Sequence, residues 1–289
     1  AGTARDLRRA ARGSVTMRAR ALAIACVLAA CSLSGCAVPP APHARGEGLR
    51  IVSLNPCTDA ILAKVAPDKL VGVSHYSHDP SAASMPVAEA RRWPANGGSV
   101  EDILAAHANM VVASSFLPTA TRKALDDLGI PVVTLGMAND VDGNLAQVRE
   151  LAEAVGEPQA GEALVGQIEA AIAAAAPQDA RADPATILWQ PGGIVPGDGA
   201  LVVDLMRRVG LRPASATRGL GQGDRLPLEA VLVDPPELLL HAGPRGDEQS
   251  RALHHPALRK LGLRSAEFDP QLYYCGGPSL IRAAERLAQ

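Results

Sequence analysis

Two cysteines occupy positions where a thiol could do chemistry. Cys57 follows a short run of strand-forming residues in IVSLNPCTDAIL, and Cys275 lies near the C-terminus in YYCGG. At a helix start a thiol is small enough to be buried, and the helix N-terminus lowers its pKa. Two thiols form a disulfide when their Cα atoms come within about 7 Å. The residues alone leave both interpretations open.

A second candidate is the H-x-x-H pair formed by His75 and His78. This spacing can chelate a metal ion from a loop, but two further ligands at a useful spacing are not evident. The other histidines are better explained as surface or helix residues: His107, His241, His254 and His255. We therefore predict no metal site.

Motifs of common enzyme classes are missing from the chain. The glycine-rich stretch from Gln190 to Gly199 lacks the Lys-Ser/Thr ending of a phosphate-binding loop, so it indicates a turn. Neither a G-x-S-x-G nor a C-x-x-C motif occurs. Their absence argues against hydrolase and thiol-redox activity.

The N-terminal region has the pattern of an export signal. From Met17 the chain reads MRARALAIACVLAACSLSGC, a basic start followed by an uncharged stretch. A transmembrane anchor is the alternative, although the run is Ala-rich and near the short limit for spanning a bilayer. The ending LSGC matches a lipobox and predicts lipidation of Cys36. We expect residues 1–16 to be upstream sequence, 17–36 a lipoprotein signal peptide and 37–48 a flexible tether.

Export changes how the charges and cysteines are interpreted. Residues 36–289 carry 22 basic and 29 acidic side chains, a net of −7, which argues against nucleic acid as a partner. Exported proteins meet oxidising conditions. Since Cys26 and Cys31 leave with the signal and Cys36 is lipidated, Cys57 and Cys275 remain as a candidate pair.

Short strands alternate with helices in the first half of the chain. The pattern predicts strands at 50–54, 70–74, 110–114 and 131–135, and helices at 58–65, 100–106 and 119–128. Such alternation favours parallel α/β units.

An internal repeat indicates two lobes. VEDILAAHANMVV at 100–112 matches LEAVLVDPPELLL at 228–240, and ALDDLGI and ALRKLGL follow in the same order. Between the halves lies an Ala-, Leu- and Glu-rich region that predicts a long helix over about 159–176. We predict an N-terminal lobe at 49–140, a connecting helical segment at 141–180 and a C-terminal lobe at 181–289. Two ordinary surface helices in one domain are the alternative.

Several motifs in order carry a family resemblance: the lipobox, RIVSLNPCTDAIL, VGVSHYS, GGSVEDILAAHANMVVASS, ILWQPGG and PLEAVLVDPPELLL. They resemble the periplasmic substrate-binding proteins of vitamin B12 and iron-siderophore ABC importers. The resemblance implies an α/β fold of two Rossmann-like lobes joined by a single long helix, with the ligand in the cleft between them.

Ligands of open α/β sheets bind beyond the carboxyl ends of the strands, which points to the loops after each strand. Six of the seven aromatic residues fall in these loops, as suits a large, flat, partly apolar ligand. The predicted ligand-binding residues are Cys57, His75, Tyr76, Trp93, Asn96, Phe116, Trp189, Gln190, Tyr273 and Tyr274. If Cys57 and Cys275 form a disulfide, it would link the two lobes at the edge of the cleft. If they remain free thiols, both would face the ligand.

Two glutamates occupy matching positions in the repeat, Glu101 and Glu229. The resemblance implies that one glutamate on each lobe contacts arginines of the membrane permease. An acid in the first turn of a helix is also explained by the helix dipole, and Ser99 with Asp102 resembles a capping box.

We therefore expect a monomeric, lipid-anchored periplasmic protein that is not an enzyme and has no cofactor of its own. It would capture a metal chelate (a ferric siderophore, haem or cobalamin) and deliver it to the permease dimer of an ABC importer. A cofactor-dependent enzyme and a ligand-sensing lipoprotein are the alternatives.

Overall fold

The structure is a computed structural model that describes residues 48–177, 183–243 and 248–289. The predicted upstream segment, the signal peptide with Cys36, and the tether up to residue 47 lie outside the described residues.

The N-terminal lobe is built on a parallel sheet of five strands in the order β3-β2-β1-β4-β5. Asn55 starts the first helix, because its side chain accepts a hydrogen bond from the backbone N–H of Cys57. The elements in chain order are β1 (Ile51–Ser53), α1 (Pro56–Val65), β2 (Leu70–Ser74), α2 (Val87–Ala90), β3 (Ala95–Asn96), α3 (Val100–Ala105), β4 (Met110–Ser114), α4 (Thr119–Asp127) and β5 (Val132–Leu135). The predicted elements of this lobe are correct to within two residues at each end.

Two helices follow, α5 (Val141–Ala154) and α6 (Pro158–Ala175). Gly156 adopts a positive φ of 75° between them, a conformation that glycine allows at low cost. The second of these helices agrees with the long helix predicted over 159–176. Within the described ranges, no helix is long and apolar enough to cross a membrane.

The C-terminal lobe contains a parallel sheet of four strands in the order β7-β6-β8-β9. Its elements are β6 (Ala185–Trp189), α7 (Leu201–Arg208), β7 (Arg212–Pro213), α8 (Ala214–Thr217), α9 (Leu228–Val233), β8 (Leu238–His241), α10 (Pro256–Lys260), β9 (Arg264–Glu267) and α11 (Ser279–Leu287). The helix α6 packs against α1 and α5 and also against α7 and α11, so it contacts elements of both lobes.

The internal repeat corresponds to equivalent parts of the two sheets. In the first lobe α3 leads into β4, beside β1, and in the second α9 leads into β8, beside β6. The second repeated pair, ALDDLGI and ALRKLGL, lies in the segments that lead from α4 into β5 and from α10 into β9. These two strands again occupy matching positions in their sheets. These two parallel sheets confirm the predicted α/β class and its organisation in two lobes.

The strands alternate between two apolar environments. In β1, Ile51 points into a large shared cluster and Val52 into a smaller one, and in β6 Leu188 and Ile187 divide in the same way. The shared cluster also contains buried residues of the connecting helix, such as Ile168. Because one continuous core fills the space between both sheets and α6, the lobes are packed as a single body.

Candidate functional site

A cavity of about 280 Å³ lies where both lobes meet at the carboxyl ends of their strands. The N-terminal lobe contributes Asn55, the first turns of α1 and the ends of β4 and β5 with the loops that follow them, and α5 contributes two side chains. The C-terminal lobe contributes the first residue of α7, one residue of the turn before α9, and the loop before α11. The cavity is lined by Asn55, Cys57, Thr58, Ile61, Ser114, Ser115, Phe116, Leu135, Gly136, Met137, Ala138, Asn144, Gln147, Leu201, Gln222, Tyr273, Tyr274, Cys275 and Gly276. We refer to this cavity as the interlobe cleft.

A disulfide joins the two lobes in the wall of the interlobe cleft. Cys57 and Cys275, separated by 218 residues in sequence, are bonded with their Cα atoms 5.1 Å apart. Cys57 is the second residue of α1, and Cys275 belongs to the loop before α11. The bond therefore fixes the first turn of α1 in one lobe to the last loop of the other.

A buried hydrogen bond reinforces this junction. The Oδ1 atom of Asn144 on α5 accepts from the backbone N–H of Gly277 at 2.6 Å. A side chain at Gly276 would not fit, because its Cβ would lie 2.1 Å from the Nδ2 atom of Asn144. At Gly277, which has a φ of 65°, a Cβ would lie 2.7 Å from Ile61 of α1. The GG pair after Cys275 is thus explained by close packing between the lobes.

Further contacts tie the C-terminal segment to the N-terminal lobe. Arg282 of α11 donates to the carbonyl of Ser84 at 2.8 Å, and Gln271 donates to the carbonyl of Pro80 at 3.1 Å. On the connecting helices, the backbone N–H of Val141 donates to the carboxylate of Asp204 on α7 at 2.9 Å. The two lobes are consequently held together at several points outside the cleft lining.

Exposed apolar side chains stand around the opening. Phe116 is 74% exposed, Met137 66% and Tyr274 53%, and each of them lines the interlobe cleft. Phe116 and Met137 come from the N-terminal lobe and Tyr274 from the C-terminal lobe. Large exposed apolar side chains that converge on one cleft are typical of a ligand-binding surface.

Tyr273 also lines the interlobe cleft, but its hydroxyl group is buried. Its ring lies 4.5 Å from that of Tyr274, and its buried hydroxyl has no hydrogen-bond partner of good geometry among the described residues. Burial and, to a smaller extent, the neighbouring Tyr274 raise the pKa of Tyr273 above its usual value. The phenol therefore keeps its proton at neutral pH and can donate a hydrogen bond.

The two predicted tryptophan contacts need correction. Trp93 is buried, with its Nε1 donating to the carbonyl of Pro67, and Trp189 is fully buried, with its Nε1 donating to the carbonyl of Leu226. Neither lines the interlobe cleft. Trp189 borders a separate cavity of about 830 Å³, but the described lining of that cavity comes from the C-terminal lobe alone. Trp93 lies in a loop as predicted, whereas Trp189 is the last residue of β6, and both side chains pack into the apolar cores.

Four other predicted residues also lie away from the interlobe cleft. Asn96 is buried, and its side chain accepts from the backbone N–H of Gly98. His75 and Tyr76 are exposed at the end of β2, with ring centroids 4.0 Å apart. Gln190 follows β6 and is partly buried. The structure thus brings together Cys57, Phe116, Tyr273 and Tyr274 of the predicted set.

No group of three or more His, Cys, Asp or Glu side chains in the described parts of the chain is arranged to hold a metal ion. In the H-x-x-H pair, the Nε2 atom of His78 lies 3.2 Å from the carbonyl oxygens of Ala90 and Trp93, while His75 packs on Tyr76. The two imidazoles therefore have separate neighbours.

The two repeat glutamates are presented to solvent in equivalent ways. Glu101 is the second residue of α3 and Glu229 the second residue of α9, and both are exposed. The Ser99 hydroxyl accepts from the N–H of Asp102, which caps α3, so Glu101 is not needed for capping. No described residue forms an ion pair with either glutamate.

Asp59 is a buried carboxyl group that sequence reasoning did not single out. Its Oδ2 atom accepts from the backbone N–H of Ser74 at 2.9 Å and from the hydroxyl of Ser77 at 2.6 Å. Burial raises the pKa of Asp59 to about 7, although the hydrogen bonds oppose this shift. The group holds the loop after β2 against the first turn of α1.

Comparison with known proteins identifies similar chains. A family model described as periplasmic binding protein matches residues 51–261. No protein among the curated set matches the chain.

Solved structures similar to the chain include three periplasmic proteins. The heme-binding protein RhuT from Roseiflexus sp. RS-1 is 25% identical with a TM-score of 0.64, and the match covers 84% of this chain and 100% of that one. A heme-binding protein from Pseudomonas aeruginosa is 23% identical with a TM-score of 0.62, covering 84% and 92%. The vitamin B12 binding protein BtuF of Vibrio cholerae is 18% identical with a TM-score of 0.59, covering 83% and 94%.

Proposed function

Because this chain belongs to the periplasmic binding protein family, we propose that it captures a metal chelate in the interlobe cleft and delivers it to the permease of an ABC importer. The candidates for the chelate are haem, cobalamin and a ferric siderophore. The described similar structures include proteins that bind heme and one that binds vitamin B12.

The observation that carries this proposal is that residues of both lobes line the interlobe cleft. Phe116 and Met137 on one side and Tyr274 on the other expose apolar surface at its opening. A planar macrocycle or an aromatic chelate would bury this surface, and burial of apolar area is favourable by about 25 cal/mol per Å². The disulfide in the wall of the cleft links the two lobes, which would limit their relative movement and preorganise the surface for a ligand.

The proposal extends to how the protein is anchored and docked. Lipidation at Cys36 would hold the protein at a membrane of the cell envelope. Residues 37–48 would form a flexible tether that lets the folded lobes move away from the membrane surface. The exposed Glu101 and Glu229, one on each lobe, would contact basic residues of a permease dimer. We propose that the protein acts as a monomer.

Binding is favoured over catalysis by the chemistry of the lining. Its described residues include no carboxylate, imidazole or amine, the groups that most often transfer protons in enzymes. The exposed cleft would serve a carrier, which must release its ligand unchanged.

The test is a titration of residues 37–289 with cyanocobalamin, haemin and a ferric hydroxamate, followed by visible absorption after dialysis. We expect saturable binding of one chelate with a Kd of about 1 µM or lower. Mass spectrometry of the released ligand should show it unchanged. Turnover of the ligand would support an enzyme instead, and a failure of all chelates to bind folded protein would contradict the proposal.

A further inference from the structure

The described lining of the interlobe cleft contains no charged side chain. Of the 19 described residues that line it, none is Asp, Glu, Lys, Arg or His. The chain as a whole is 20% charged, and loops at the ends of strands are usually where charged side chains collect. The lining therefore differs in charge from the rest of the chain, and an uncharged ligand would match it.

The polar groups of the lining are amides and hydroxyls. The lining residues that carry such groups are Gln147 and Gln222 with carboxamides, Ser114 and Ser115 with hydroxyls, and Tyr273 and Tyr274 with phenols. The phenol of the exposed Tyr274 can donate a hydrogen bond to an amide carbonyl of a ligand. The carboxamides can both donate to and accept from amide groups.

An anionic ligand would be penalised at this surface. A carboxylate that loses water needs a cation or several hydrogen bonds to offset its desolvation, and no described lining residue supplies a cation. The net charge of −7 over residues 36–289 adds a repulsive field.

We infer that the interlobe cleft selects an uncharged metal chelate that bears amide groups, and discriminates against chelates that carry carboxylates or other anionic groups. This inference rests on the proposed function and narrows its ligand. A cavity of about 280 Å³ is too small to enclose a large chelate, so the chelate rests on Phe116, Met137 and Tyr274 and inserts one amide-bearing arm. Corrinoids with amide side chains and neutral hydroxamate chelates share this chemistry.

The experiment uses pairs of probes that differ only in charge. The first pair is cyanocobalamin and its derivative with one side-chain amide hydrolysed to a carboxylate, and the second is haemin and its bis-amide. A neutral ferric trihydroxamate is included to show whether the cleft binds a hydroxamate chelate or a macrocyclic one. Kd values are measured with residues 37–289 at two salt concentrations.

We expect the amide member of a bound pair to bind at least about tenfold more tightly than the acid member. The difference should shrink at higher salt, because the repulsion is partly screened.

A charge variant tests whether the discrimination between the acid and amide probes arises in the interlobe cleft. Gln222→Arg replaces one carboxamide of the exposed lining with a cation, so it should tighten binding of the acid member relative to the amide member and narrow the difference between their Kd values. Gln159→Arg, on the exposed surface of α6, makes the same change in net charge away from the interlobe cleft and should change neither Kd. Equal or tighter binding of the acid member by the unmodified protein would overturn the inference but leave the proposed function standing. Binding of none of the probes would overturn both.

Discussion

The side chain of Asn144 and the backbone N–H of Gly277 form a buried hydrogen bond of 2.6 Å across the junction of the lobes. The two residues lie 133 positions apart, on α5 and in the loop before α11. Beside them, the Cys57–Cys275 bond joins α1 to the same loop. A covalent link and a polar link therefore converge on residues 275–277.

Replacement of Asn144 by Ala should destabilise the protein by about 1–3 kcal/mol, because the buried N–H of Gly277 would lose its partner. Gln147→Ala is the matched control on the same helix, since its hydrogen bond to the carbonyl of Gly136 is exposed. It should cost no more than about 0.5 kcal/mol. Urea unfolding of both variants measures the difference, and equal values would contradict the role assigned to Asn144.

The double variant Cys57→Ser, Cys275→Ser should lose about 2–5 kcal/mol of unfolding free energy, because the disulfide closes a very long loop. Thiol titration of denatured, unreduced residues 37–289 should detect no free thiol, and two should appear after reduction. Dithiothreitol should lower the unfolding midpoint of the unmodified protein and leave that of the double variant unchanged. Two free thiols before reduction would show that the bond is absent.

Two glycines of α6 should respond in opposite directions to alanine. A Cβ at Gly161 would lie 2.4 Å from the Cβ of Ala152 on α5, so Gly161→Ala should cost about 1–3 kcal/mol through overpacking. Gly166 has open space around it, and Gly166→Ala should stabilise the protein by about 0.5–1 kcal/mol through helix propensity. Thermal unfolding compares the two, and a stabilising Gly161→Ala would mean that α5 and α6 are not in close contact.

Asp59 should make stability fall as pH rises. Its pKa is raised from 3.8 to about 7 in the folded protein, so the folded state holds the proton more tightly than the unfolded chain. The contribution is complete below about pH 4, declines by up to about 1.4 kcal/mol per pH unit, and is lost above about pH 7. Asp59→Asn should remove this dependence. Parallel pH profiles of the unfolding free energy for both proteins would contradict the raised pKa.

The double variant Glu101→Gln, Glu229→Gln should associate with the permease about tenfold more slowly than the unmodified protein and with a weaker salt dependence. Its Kd for the chelate should not change. The control is Glu150→Gln, Glu153→Gln, which removes two exposed charges from α5. Surface plasmon resonance on permease in nanodiscs provides the rates. Equal rates for the two double variants would argue against docking through Glu101 and Glu229.

The local pattern of the chain was sufficient to predict most elements of the N-terminal lobe, the long connecting helix and the doubled architecture. Strand β2 and strand β4 begin and end at the predicted residues, and the repeat of 100–112 at 228–240 corresponds to α3–β4 and α9–β8. These features depend on short-range periodicity and propensity, which act within one segment. The same reasoning placed Phe116, Tyr273 and Tyr274 in loops beyond strand ends.

The composition of the interlobe cleft was decided only by tertiary packing. A loop position does not determine whether a side chain turns towards the cleft or the core, so Trp93 and Trp189 were misassigned and Asn144 was missed. The juxtaposition of Cys57 with Cys275 depends on how both sheets pack on α6 through one continuous core. Sequence determined which segments form strands and helices, because those preferences are local; tertiary structure decided which side chains meet, because that depends on contacts between residues more than a hundred positions apart.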